Sequence, residues 1–137
     1  MTWKWTAEHP ARWDDRKETI FSRIPAGVFD LPPGDRTELL PGEWWRVEDE
    51  AGRTIGYGWL DSTWAEGEVL ACVDPDHQKK GVGAFIFDQL AQEARKKGHR
   101  WIANFVRETQ PDRDRVTEWL LAHGFESASD GRLMRRT

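Results

Sequence analysis

A chain of 137 residues with 38% hydrophobic and 32% charged side chains has enough apolar material for one core and too little length for a separate substrate domain. Its 20 Lys and Arg against 24 Asp and Glu leave a formal charge of -4, which excludes the long-range attraction that nucleic acid as main partner would need. The lone Cys72 excludes an intrachain disulfide and a cysteine-based zinc site, no apolar run approaches the roughly 20 residues that span a bilayer, and Met1-Thr2-Trp3-Lys4-Trp5 lacks a signal-peptide core, so a cytoplasmic protein of one domain over residues 1–137, without membrane partner, is expected.

Along the chain, Trp3-Lys4-Trp5-Thr6 alternates with period two and predicts a short strand. Pro10 can open a helix that Trp13, Lys17, Ile20, Phe21 and Ile24 carry towards Pro25. Residues 25–42, rich in Pro and Gly, read as loop, with one helical turn around Arg36 to Leu40. Strands follow at Glu43 to Glu48, Arg53 to about Thr63, and Glu68 to Val73, where Asp74-Pro75 stops the ladder. Val82, Phe85, Ile86, Leu90, Ala91 and Ala94 keep helical spacing up to Lys97, with Gly98 as stop. Trp101 to Val106 is a further strand, Arg113 to His123 a further helix, and Arg132 to Arg135 a closing strand. The order β, α, β, β, β, α, β, α, β predicts an α/β sandwich around a mixed sheet.

Two compositional features need explanation. Nine tryptophans are many for this length; Trp44, Trp45, Trp59 and Trp64 either fill the core or line an acceptor pocket. Lys79, Lys80, Arg95, Lys96, Lys97 and Arg100 crowd the middle of an acidic chain, which leaves room for a local anion site.

The segment Val73-Asp74-Pro75-Asp76-His77-Gln78-Lys79-Lys80-Gly81-Val82-Gly83-Ala84 joins a strand to a helix start. Amides in the first turn of a helix have no intrahelical partner, and the helix dipole adds about half a positive charge, so this junction suits a pyrophosphate. Gly81 and Gly83 let the main chain come close. The pattern does not fit a dinucleotide fingerprint, because Ile86 stands where a third glycine belongs, and no Gly-Lys-Ser/Thr follows.

In its context of strand, Gln78-x-x-Gly81-x-Gly83, helix and strand, the segment resembles the acetyl-CoA motif Gln/Arg-x-x-Gly-x-Gly/Ala of the GNAT (GCN5-related N-acetyltransferase) superfamily. Trp119-Leu120-Leu121-Ala122-His123-Gly124-Phe125-Glu126 is similar to that family's helix ending in Gly-Phe. The likeness covers roughly residues 66 to 128. It implies a mixed, mostly antiparallel sheet flanked by helices, acetyl-CoA as cofactor, and transfer of acetyl to a primary amine, either a small cationic molecule or a protein lysine or N-terminus. Amides of Gln78, Lys79, Lys80, Gly81, Val82, Gly83 and Ala84 would cradle the CoA pyrophosphate, and the backbone of Cys72 and Val73 would pair with the pantetheine arm. His77 reads as a surface residue of the loop.

An alkyl ammonium keeps its proton until about pH 10.4, so a base is needed before the amine can attack. The family's glutamate aligns on Gly67, which leaves the choice between Glu66 and Glu68; period two puts both on one face, and Glu68 is favoured because it lies deeper in the strand. A backbone amide near Cys72 or Val73 would hold the oxyanion. Leu120 stands where many members carry a tyrosine acid, Arg113 stands near the place of an asparagine, and Tyr57 reads as packing. That departure supports the alternative of an acyl-CoA-binding module without catalysis. Homodimers are common among members, but no stretch of this sequence demonstrates one.

Overall fold

The computed structural model describes residues 2–25, 40–62 and 66–137. Among them, strands β1 (Lys4–Glu8), β2 (Glu43–Glu48), β3 (Thr54–Ser62), β4 (Glu66–Val73), β5 (Trp101–Asn104), β6 (Glu126–Ser127) and β7 (Leu133–Arg136) form one sheet in the order β1-β2-β3-β4-β5-β7-β6. Helices α1 (Asp15–Phe21), α2 (Val82–Lys96) and α3 (Arg113–Ala122) flank it, and a 3-10 turn spans Pro75–His77. Every neighbouring pair is antiparallel except β4 with β5. This is the α/β sandwich that the element order predicts.

Boundaries differ where local patterns compete with tertiary pairing. The first helix starts at Asp15, not Pro10, because the Asp14 carboxylate caps it by accepting from the Lys17 amide at 2.9 Å. Strand β1 runs on to Glu8, held by β2 as far as Trp44. Strand β4 begins two residues earlier than expected, at Glu66, since β3 pairs with it down to Ser62↔Gly67. Strand β5 ends at Asn104 instead of Val106, and Glu126–Ser127 forms a short strand against β7 that a two-residue run cannot announce. The helical turn expected around Arg36 to Leu40 falls, but for Leu40, outside the described residues, as does Trp64.

The sheet has two differently filled faces. On one, Val82, Ile86 and Leu90 of α2 meet Trp45, Val47, Leu60, Val69 and Ile102, and α3 adds Leu120 and Trp119. On the other, Ile20 and Phe21 of α1 meet Trp44, Tyr57 and Cys72. Trp44 and Trp45 therefore fill opposite layers, being neighbours on one strand. Trp5 stacks on Trp45 with ring centroids 5.5 Å apart, and a Cβ at Gly58 would stand 2.6 Å from the Trp5 ring. The side-chain-free β3 position thus makes room for the tryptophan pair. Burial of each such ring contributes up to about 3 kcal/mol.

The α1 layer also buries a charge. Lys17 is fully enclosed, and its ammonium donates to Glu8 at 2.6 Å and to the Arg12 carbonyl at 2.8 Å, with Asp14 at 3.4 Å. It also lies 5.0 Å from the centroid of the Tyr57 ring and 5.5 Å from that of Trp44. A buried ammonium is tolerated only with such complete partnering.

Candidate functional site

The parallel pairing of β4 and β5 covers Glu66↔Trp101, Gly67↔Ile102 and Glu68↔Ala103. Beyond Glu68 the strands part, while β4 stays paired with β3 from Leu70↔Trp59 to Val73↔Gly56. Among the described residues, the other edge of residues 70–73 therefore has no strand partner. Backbone donors and acceptors left open in this way form a template for an extended ligand. At the point of the fork, Asn104 donates from Nδ2 to the Val69 carbonyl at 2.9 Å. Asn104 is buried, and sequence reading counted it only as a strand residue. A lone amide closing the apolar run Trp-Ile-Ala was the available signal.

The fork opens towards the glycine loop. After Val73, the Asp74 amide donates to the Ile55 carbonyl at 2.8 Å, and the Asp74 carboxylate accepts from the Asp76 amide at 3.1 Å, which turns the chain through Pro75–His77. Arg23, just past α1, ties this turn down through Asp74 at 2.7 Å and Asp76 at 2.8 Å. His77 is half-buried beside Asp74. Gly81 then caps α2 at φ +89, a conformation that a Cβ disfavours. The first helical bond runs from Phe85 N to Gly81 O, so the amides of Val82, Gly83 and Ala84 remain without intrahelical partners. They sit at the positive end of a 15-residue helix whose cap supplies no side chain.

Gly83 faces α3: a Cβ there would stand 3.5 Å from the Trp119 ring, an ordinary packing distance. Gln78, Lys79 and Lys80 are exposed, and Lys79 carries a φ of 65.

On the face turned to α1, β4 presents Glu66, Glu68, Leu70 and Cys72 in alternation. Glu66 is ion-paired with Arg132, which also grips Asp130 at 2.7 Å. Glu68 is exposed, has no ion pair among the described residues, and stands at the last rung before the strands separate, opposite Asp61 of β3. The two acids share a face, as period two requires, but differ in their partners: Glu66 is ion-paired with Arg132, and Glu68 has no ion pair among the described residues.

The remaining candidates are committed to packing. Cys72 is buried beside Tyr57 and Trp44, and burial first, then the Asp74 charge, pushes its thiol above the ordinary range, so it stays protonated and is a poor nucleophile. Burial also raises the Tyr57 hydroxyl, with the Asp14 and Glu8 charges adding to the shift. Leu120 is buried in the core cluster of the α2 layer. Trp44 and Trp59 both donate from Nε1 to the Pro41 carbonyl, at 3.1 and 2.9 Å. Among the described residues, no helix is long and apolar enough to cross a membrane.

Residues 41–127 match the family model for the acetyltransferase (GNAT) domain. No curated protein matches the chain. Among solved structures, N-acetylglutamate synthase from Neisseria gonorrhoeae complexed with coenzyme A and L-arginine superposes with a TM-score of 0.75 at 18% identity over 98% of this chain. The match takes up 33% of that synthase, so the chain spans about a third of its length. The ribosomal-protein-S18-alanine N-acetyltransferase from Escherichia coli gives 0.61 at 16% identity, covering 98% of this chain and 94% of that one. Nourseothricin acetyltransferase gives 0.65 at 16% identity, covering 99% of each. At these identities the likeness is one of fold. The family model spans more than half of the chain and contains both the forked strands and the glycine loop, and the chain accordingly belongs to the GNAT acetyltransferase family.

Proposed function

We propose that the chain is an acetyl-CoA-dependent N-acetyltransferase, organised as one catalytic domain, that moves acetyl to a primary amine by direct attack in a ternary complex. The observation that carries this reading is the fork: an open β4 edge over residues 70–73 leads straight to the unpartnered amides of α2. The residues fit acetyl-CoA, whose thioester supplies the activated acyl group. The amides from Gln78 to Ala84 would hold the pyrophosphate, and the backbone of Cys72 and Val73 would pair with the pantetheine arm. Relatives in complex with coenzyme A support this choice, since the gonococcal synthase is one.

Glu68 is the base. It stands at the vertex of the fork with an exposed carboxylate, whereas Glu66 is engaged by Arg132. Glu68 would take the ammonium proton through water; the amine nitrogen would then bond to the carbonyl carbon, the carbon–sulfur bond would break to release the thiolate, and the second nitrogen proton would pass to that thiolate or to solvent. A thiol with a pKa near 8.5 leaves without a strong acid. Leu120 in the place of a tyrosine acid is therefore compatible with turnover, and it is also the feature that supports a second reading, an acyl-CoA-binding module without chemistry. The acceptor is an amine. Relatives whose names specify an amino acid or a protein alanine support that class.

Release of free thiol from acetyl-CoA with a panel of small and peptide amines tests the proposal. Glu68→Gln is expected to lower turnover at neutral pH by about 100-fold, and Glu66→Gln by far less. Cofactor binding without any amine-dependent thiol would establish the binding module instead.

A further inference from the structure

We propose a second, anion-binding site at the opposite end of α2, made by Arg95, Arg100 and Arg136. These residues, with His99, Trp101 and Thr137, line a cavity of about 500 Å³. Small-ligand sites occupy volumes of roughly 300–1,000 Å³. The cavity lies beyond the C-terminal end of α2, and a helix of 15 residues separates it from Gly81. At about 1.5 Å per residue that is on the order of 20 Å, too far for one group to serve both places.

Ion pairing distinguishes these arginines from their immediate neighbours. Around them the cations have acidic partners: Lys96 meets Glu93 at 2.9 Å, Lys97 meets Glu43 at 2.8 Å, and Arg135 meets Asp88 at 2.7 Å. Among the described residues, Arg95, Arg100 and Arg136 have no ion pair with a carboxylate side chain, and no Asp or Glu side chain lines the cavity. In a chain with a net charge of -4, three guanidinium groups around one hollow are not explained by a general surplus of positive charge. The helix dipole accounts for Arg95 in the last turn of α2. It does not account for Arg100 and Arg136, which arrive from the turn before β5 and from β7.

The walls are built, not incidental. Arg136 lies over the Trp101 ring, 5.1 Å from its centroid, and its Cα is the register partner of Trp101. Thr137 is strapped across the rim by its amide to the Arg100 carbonyl at 3.0 Å and its hydroxyl to the His99 carbonyl at 2.8 Å. His99 is itself held by Ser62 at 3.0 Å. Three exposed arginines around one hollow with no Asp or Glu side chain in its wall suit a small polyvalent oxyanion, phosphate and carboxylate alike. The ligand class is therefore a compact phosphorylated or polycarboxylic metabolite.

The test follows the Trp101 indole N–H resonance by NMR, assigned through Trp101→Phe, during separate titrations with inorganic pyrophosphate and with citrate. This signal reports its own cavity, so filling of the Gly81 loop does not mimic the result. Saturable movement with at least one anion is expected, and the better ligand tells phosphate from carboxylate. The double variant Arg100→Ala/Arg136→Ala should weaken that binding by about tenfold or more, and the exposed single change Arg100→Gln by less. No movement at millimolar anion, or equal movement in both variants and the parent, overturns the proposal. So does a short RNA that binds there far more tightly than either anion with steep salt dependence, because the surface would then be a nucleic-acid contact.

Discussion

Asn104 on β5 reaches across to Val69 on β4 with a 2.9 Å hydrogen bond set immediately after the last rung of parallel pairing. It spans the place where the two strands separate. The same bond satisfies a buried carbonyl.

Replacing Asn104 by Ala leaves the Val69 oxygen without its donor, at a cost of about 1–3 kcal/mol. The expected result is a fall in melting temperature of about 3 °C or more, together with weaker coenzyme A binding in a calorimetric titration. Asn104→Asp should do worse, since an acceptor would then face an acceptor.

Gly81 at φ +89 is the conformational key to the loop. Gly81→Ala should cost about 1–2 kcal/mol of strain, and Gly81→Val should in addition weaken coenzyme A binding by an order of magnitude or more, measured by calorimetry. Gly83→Ala meets Trp119 only at ordinary contact distance and should be milder in stability. Unchanged cofactor affinity in Gly81→Val would remove the loop from the binding site.

Lys17 offers a test of the α1 layer. Lys17→Met strands the Glu8 carboxylate, itself largely buried, and should destabilise the fold by about 3–5 kcal/mol in urea denaturation. Arg46, 3.4 Å from Glu8, cannot replace a contact of 2.6 Å. The double variant Glu8→Gln/Lys17→Met should recover part of the loss, because it leaves no buried charge unpaired.

Stability should decline at alkaline pH through two groups with raised pKa values. Burial lifts Cys72 above its ordinary 9.0 and Tyr57 above its ordinary 10.0. The folded state binds these protons more tightly than the unfolded chain, so their contribution is complete below the unfolded values and is lost as pH climbs past them. Melting temperatures between pH 7 and 10.5 should fall progressively above about pH 9, and less steeply in Cys72→Ala. Cys72 should also resist thiol alkylation at neutral pH until the protein unfolds.

Read from residues alone, the fold was largely accessible because its signals are short-range. Period two marks β2, β3 and β4, the spacing from Val82 to Ala94 marks α2, and glycine after strand marks the loop. Element ends were less accessible. They depend on partners distant in sequence, as when β3 extends β4 back to Glu66, or on caps such as Asp14. The alternation of β4 also placed Glu66 and Glu68 together, but could not rank them, since Arg132 lies 66 residues from Glu66.

The sequence by itself determined the class of protein, the glycine loop that leads into α2 and the shared face of the two glutamates, because backbone geometry and side-chain period are local properties. Tertiary structure alone decided that β4 and β5 part at Glu68, that Asn104 stands at the vertex, that Cys72 and Leu120 belong to the core, and that three arginines from separate parts of the chain line one hollow. Those relationships arise from strand pairing and burial between residues far apart in the chain, and no local pattern encodes them.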